Sequence, residues 1–200
     1  MSDVDKPISR YPVPSLDELP DDIREMITAV ADKSGFVPNV FLALAHRPAE
    51  FRAFMGLHDA LMDPERLEGA DARESGLSKA EREMIVVVTS AQNECLYCVV
   101  AHGAILRIRA KSPTISDQVA TNWRHADLTD RERAICAFAN RVAMEPATLA
   151  DEHHAELRTH GLSDEDIWDV GAIASFFALS NRMAHLTQMR ANDEFYSMGR

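Results

Sequence analysis

The stretch "ECLYCVVAHGAILR", Glu94 to Arg107, decides how the chain folds and what chemistry it carries. Two of the three cysteines stand here, and a histidine follows them. If Cys95 opens a helix, then Cys95, Cys98 and His102 fall at i, i+3 and i+7, on one face and within two turns. Both thiols then occupy the first turn. Free backbone N–H groups and the positive end of the helix dipole favour a thiolate there. His102, four residues after Cys98, is placed to exchange a proton with that sulfur. This assigns Cys98 as nucleophile and Cys95 as the partner that closes a disulfide with it. An imidazole base works best when an acceptor fixes its other nitrogen. Glu83 on the preceding helix is the candidate, with Glu81 and Glu94 as competitors that spacing alone does not eliminate.

Working outward, every flank reads as helix. Ser78 stands three residues before Glu81, a capping-box spacing that starts a helix through the run 84–94. Its Val86, Val87 and Val88 have strand propensity, which the start signal and the helical flanks outweigh. The motif helix runs to about Ala110, and Pro113 closes it. Upstream, Ile23, Met26, Ile27 and Val30 recur at helical spacing with Gly35 as a stop, and Pro38 opens a short helix ending near His46. Pro48 restarts the chain into a core helix carrying Phe51, Phe54, Met55, His58 and Leu61. The charged, glycine-containing stretch 63–76 is read as a connection with one helical turn. Downstream, Thr129 with Glu132 and Ser163 before its acidic run start further helices, the last being either two helices or one bent near Gly171. The fold class is therefore all-α. Residues 1–19, with Pro7, Pro12 and Pro14, form an extended arm, and residues 20–200 a single helical domain.

Composition bounds the function. The chain has 200 residues, 46% hydrophobic, which supports an ordinary buried core without disulfide staples. The opening residues lack the features of a secretory signal, and cysteine is scarce, so the expected location is cytoplasmic. The run Val170 to Ser180 is too short to span a membrane. A formal net charge of -11 argues against a nucleic-acid partner.

Plainer roles account for the other polar residues. A structural zinc site needs four ligands, and beyond the two cysteines only His102 and Cys136 could join, so no metal is expected. Cys136, in an apolar run, is an inert core thiol. His58, on an apolar face, is a core histidine that could line a cavity. His153 and His154 face water, while Asn181, Arg182 and His185 serve helix packing or a subunit contact.

Glu83, Cys95, Cys98 and His102 together give the pattern E-x11-C-x-x-C-x3-H. It resembles the signature of the alkylhydroperoxidase D and carboxymuconolactone decarboxylase superfamily. The phrases "FVPNVFLALAHRP", "LTDRERAICAFANRVAMEP" and "LRTHGLSDEDIWDV" are similar to its branch of uncharacterised peroxidase-related proteins. The resemblance implies an alkylhydroperoxidase D-like helical bundle that assembles into homo-oligomers. It implies a peroxidase in which Glu83 and His102 relay protons, Cys98 passes through a sulfenic acid and Cys95 resolves it, thiol chemistry that calls for no cofactor. The substrate would be a hydroperoxide and the electrons would come from a dithiol reductant not identified by the sequence. One departure stands out: Tyr97 occupies the position where alkylhydroperoxidase D proteins carry a histidine, and a phenol is a poor proton carrier near neutrality. Two other functions remain open, decarboxylation of a γ-lactone acid and a non-catalytic redox-sensing helical oligomer.

Overall fold

The computed structural model describes residues 6–200. Among them there are helices and turns and no strand. Ten α-helices follow in order: α1 Asp21–Ser34, α2 Asn39–Ala45, α3 Pro48–Met62, α4 Lys79–Gln92, α5 Leu96–Ala110, α6 Ile115–Asn122, α7 Asp130–Met144, α8 Asp151–Thr159, α9 Asp164–Thr187 and α10 Glu194–Ser197. None is long and apolar enough to cross a membrane.

The centre of the bundle is α4, which packs against α5, α6, α7 and α9. Ser78 caps it in a reciprocal box with Glu81, as the spacing predicts. Residues 81–90 are buried without interruption, including three charged side chains in succession. Each charge has its own partner: Glu81 meets Arg131 at 2.7 Å, Arg82 donates to the Met62 carbonyl at 2.9 Å, and Glu83 meets His102 at 2.8 Å. Pairing of this kind is what makes burial of a charge tolerable.

Several boundaries differ from expectation. The connection 63–76 contains two 3₁₀ turns, Pro64–Arg66 and Gly69–Asp71, and is fastened to the start of α9. Arg73 holds the buried Asp169 through two bonds of 2.9 and 2.6 Å, and the Gly76 N–H donates to Asp166 at 2.7 Å. The tail of the chain past Pro113 adds α6, and residues 194–197 add α10; neither carries a strong start signal. The α9 segment is one uninterrupted helix of 24 residues that includes Gly171 and stops at Gln188, a left-handed residue with φ 53°. As for the arm, residues 6–19 lie along the same chain: Arg10 N–H donates to the Thr187 carbonyl at 2.7 Å and Ile8 accepts from Arg190 at 3.1 Å. Tyr11 stacks on His46. The first five residues of the arm expected over residues 1–19 fall outside the described residues.

Candidate active site

The site is built by the turn between α4 and α5. Asn93 ends α4, and Glu94 takes a left-handed φ of 55°, unusual for a side chain of this kind. The reversal lets the Cys95 N–H donate to the Ser90 carbonyl at 2.9 Å and folds α5 back along α4. Cys95 is the N-cap of α5, so its sulfur accepts the Cys98 N–H at 3.3 Å, the role a Ser or Asp oxygen usually fills. Cys98 follows in the first turn, and His102 comes one turn later, opposite Glu83. The competition among the three glutamates is resolved by geometry: Glu81 is engaged by Ser78 and Arg131, and Glu94 is exposed in the turn. Glu83 Oε2 lies 2.8 Å from His102 Nδ1. With Nδ1 tied to the carboxylate, the imidazole keeps Nε2 as its free nitrogen.

Both thiols are free and buried. They titrate as one unit, because the Cys98 side chain donates to the Cys95 sulfur. That bond, assisted by the Cys98 N–H, the charge of His185 and the Asn181 amide, lowers Cys95 to about 7 against the opposing effect of burial. Cys98 moves the other way. Its bond to Cys95, burial and the neighbouring negative charge all hold its proton on. The expectation that the helix end favours a thiolate at both cysteines therefore holds for Cys95, which takes the N-cap position, and not for Cys98. No hydrogen bond among the described residues joins His102 to either sulfur, so the histidine and the thiols are neighbours on one face with a gap between them.

The second wall of the site comes from α9, whose Asn181 and His185 are expected from the sequence to serve helix packing or a subunit contact. Phe177 sets its ring edge-on to His102, with centroids 4.7 Å apart. Asn181 is fully buried and donates to Ser90 Oγ at 2.9 Å, while its amide also steadies both sulfurs. His185 donates through Nε2 to the Asn93 carbonyl at 2.9 Å, which pins it to the turn beside Cys95. No motif spacing links these residues to the cysteines; only the antiparallel passage of α9 past the α4–α5 turn does. Tyr97 turns its hydroxyl to α2 and not to the Glu83–His102 pair. Its hydroxyl accepts the Val40 N–H at 3.1 Å, and burial raises its pKa, so it takes no part in proton exchange. Cys136 sits in the main core, pushed up to about 12 by burial. Among the described residues no group of three or more His, Cys, Asp or Glu side chains is arranged to hold a metal ion.

Residues 48–139, from α3 to α7, match the Carboxymuconolactone decarboxylase family. No curated protein is similar to the chain. Among solved structures, the alkylhydroperoxidase AhpD core described as an uncharacterized peroxidase-related protein from Ralstonia eutropha JMP134 is 58% identical, with 98% of each chain covered and a TM-score of 0.92. An uncharacterized peroxidase-related protein from Silicibacter sp. TM1040 is 36% identical over 98% of this chain and 97% of its own, with a TM-score of 0.88. The debrominase Bmp8 shares the fold at 21% identity, covering 98% of this chain and 97% of its own, with a TM-score of 0.71. With the motif face, the buried thiols and the full-length likeness in place, the chain belongs to the alkylhydroperoxidase AhpD and carboxymuconolactone decarboxylase superfamily.

Proposed function

We propose that the protein is a cofactor-independent, thiol-dependent peroxidase of the cytoplasm. It would reduce hydroperoxides through Cys98 and Cys95, with Glu83 and His102 as the proton relay, and act as a homo-oligomer. The observation that carries this reading is the placement of a histidine–carboxylate pair, closed at 2.8 Å, on the same helical face as two buried free thiols. A structural pair of cysteines needs no such base.

The reduced pair gives up its first proton easily and leaves one proton shared between the sulfurs. When that proton sits on Cys95, Cys98 is the free thiolate. Being the more basic of the two, it is also the stronger nucleophile. Its sulfur attacks the terminal peroxide oxygen, the O–O bond breaks, and the alkoxide takes a proton from His102 to leave as an alcohol. Glu83 holds the imidazolium that makes this transfer possible. Cys95 then gives up the proton it kept as its sulfur attacks the Cys98 sulfenic acid; the S–O bond breaks, the disulfide forms, and the departing hydroxyl takes that proton to leave as water. A dithiol reductant returns both thiols.

Carbon chemistry on a γ-lactone acid is the second reading, and the family matched by residues 48–139 favours it. It has no use for a dithiol pair. Peroxide consumption with dithiothreitol separates the two. The wild type turns over; Cys98→Ser is inactive; Cys95→Ser completes one turnover and stops at a sulfenic acid that dimedone traps. A wild-type protein that consumes no peroxide would sink the peroxidase reading.

A further inference from the structure

The relay pair faces a second pair of the same kind. On α3, His58 Nδ1 lies 3.0 Å from the Asp59 carboxylate, so its free nitrogen is also Nε2. The His58 and His102 rings are 6.5 Å apart between centroids, tilted by 47°. Both pack on the same aromatic wall of α9: His58 lies 6.2 Å from Phe176 and 6.3 Å from Phe177, and His102 lies 4.7 Å from Phe177. The two are unequal in exposure. The His58 side chain is 26% exposed and that of His102 15%. A spacing of this size between two imidazoles suits a single bridging water.

From this arrangement we infer that His58 is the outer member of the proton relay and carries protons between His102 and solvent. The inference rests on the peroxidase reading for its purpose, but not for its test. Tyr97 cannot supply this step, since its buried phenol is engaged by Val40. The groups facing His58 are Asp59 on its own helix, His102 on α5 and, through His102, Glu83 on α4. From α9 it meets Phe176 and Phe177, which do not ionise. In the step itself only N–H and O–H bonds change: Nε2 of protonated His102 releases its proton through the bridging water to Nε2 of His58, and the reverse path reloads it. Asp59 and Glu83 remain carboxylates. His58 acts through His102 and is a positioning residue for protons, not a group that meets the peroxide.

The test is exchange of the His102 ring N–H with water, followed by nitrogen-15 magnetisation transfer on the reduced full-length protein, which needs no peroxide. In His58→Gln, exchange slows about tenfold, and added imidazole, a mobile proton carrier in the solvent that His58 partly meets, restores it. Loosened packing would speed exchange, so a purely structural effect has the opposite sign. The oxidation rate of the reduced protein with hydrogen peroxide falls in the same variant and recovers with the same imidazole. Unchanged His102 exchange in His58→Gln, or a slowing that imidazole does not relieve, overturns the inference. If the wild type fails to react with peroxide while the exchange results stand, only the peroxidase reading falls.

Discussion

Cys98 carries two hydrogen-bond donors toward Cys95, its backbone N–H and its S–H, and this decides which sulfur ionises first. Removing the second donor tests the point. In Cys98→Ala the backbone bond stays and the S–H is lost, so Cys95 ionisation moves up from about 7 toward the 9.0 of an ordinary thiol. Ultraviolet thiolate absorbance against pH reads this directly. A Cys95 curve unmoved by Cys98→Ala would show that the helix end alone sets its acidity. The face shared by Cys95, Cys98 and His102 was legible in the sequence, because helical spacing fixes which side chains lie together. The direction of the proton was not. It depends on Cys95 being the cap rather than the first helical residue, a one-residue distinction that spacing does not resolve. Asn181 and His185 were equally hidden, since they reach the sulfurs only through tertiary packing.

Helix starts were readable wherever a side chain makes the cap, as at Ser78, Thr129 and Ser163, which all form reciprocal boxes. The short α6 and α10 were not, because Thr114 and Asp193 make no side-chain cap and tertiary contacts hold these elements. Buried Arg107 secures the second by donating to the carbonyls of Phe195 and Met198 at 2.8 and 2.9 Å. The connection 63–76 shows the same limit, since its order comes from α9. Two glycines separate these cases. A Cβ on Gly76 would stand 2.6 Å from an Asp166 oxygen, and that carboxylate is fixed by Ser163 as well as by Gly76 itself. Gly76→Ala therefore destabilises by about 1–3 kcal/mol through overpacking. Gly56, inside α3, has nothing within 4 Å of its Cβ position, so Gly56→Ala stabilises by about 0.5–1 kcal/mol through helix propensity. Denaturant midpoints at constant slope measure both; equal shifts of the same sign would refute the distinction.

At the scale of the whole molecule, α9 is apolar on more sides than one chain can cover. Its inner face lines the site with Phe177 and Asn181, and its outer face leaves Trp168 72% exposed and Leu179 and Leu186 each 51% exposed. These three are spaced by eleven and seven residues, close to whole numbers of turns, so they form a single stripe down the helix. Three large exposed apolar side chains aligned on one face, with Ser175 and Arg182 between them, are more than the scattered single residues of an ordinary surface and mark an interaction site. The occupant that fits the proposed homo-oligomer is a second copy meeting α9 with its own α9, as a two-fold contact requires. Each copy brings a formal charge of -11, so association works against like-charge repulsion and strengthens as salt screens it. Light scattering at micromolar concentration is expected to give a mass of at least twice 22.3 kDa, with the associated fraction rising from low to physiological salt. Leu179→Glu places a carboxylate in the middle of the stripe, opposite its own symmetry mate, and reduces the mass to that of one chain while circular dichroism stays helical. Because the stripe lies on the side of α9 away from Phe177 and Asn181, the isolated chain keeps its thiol titration. A wild-type mass of 22.3 kDa at every salt concentration would leave the stripe without a second copy and remove the oligomer from the proposal.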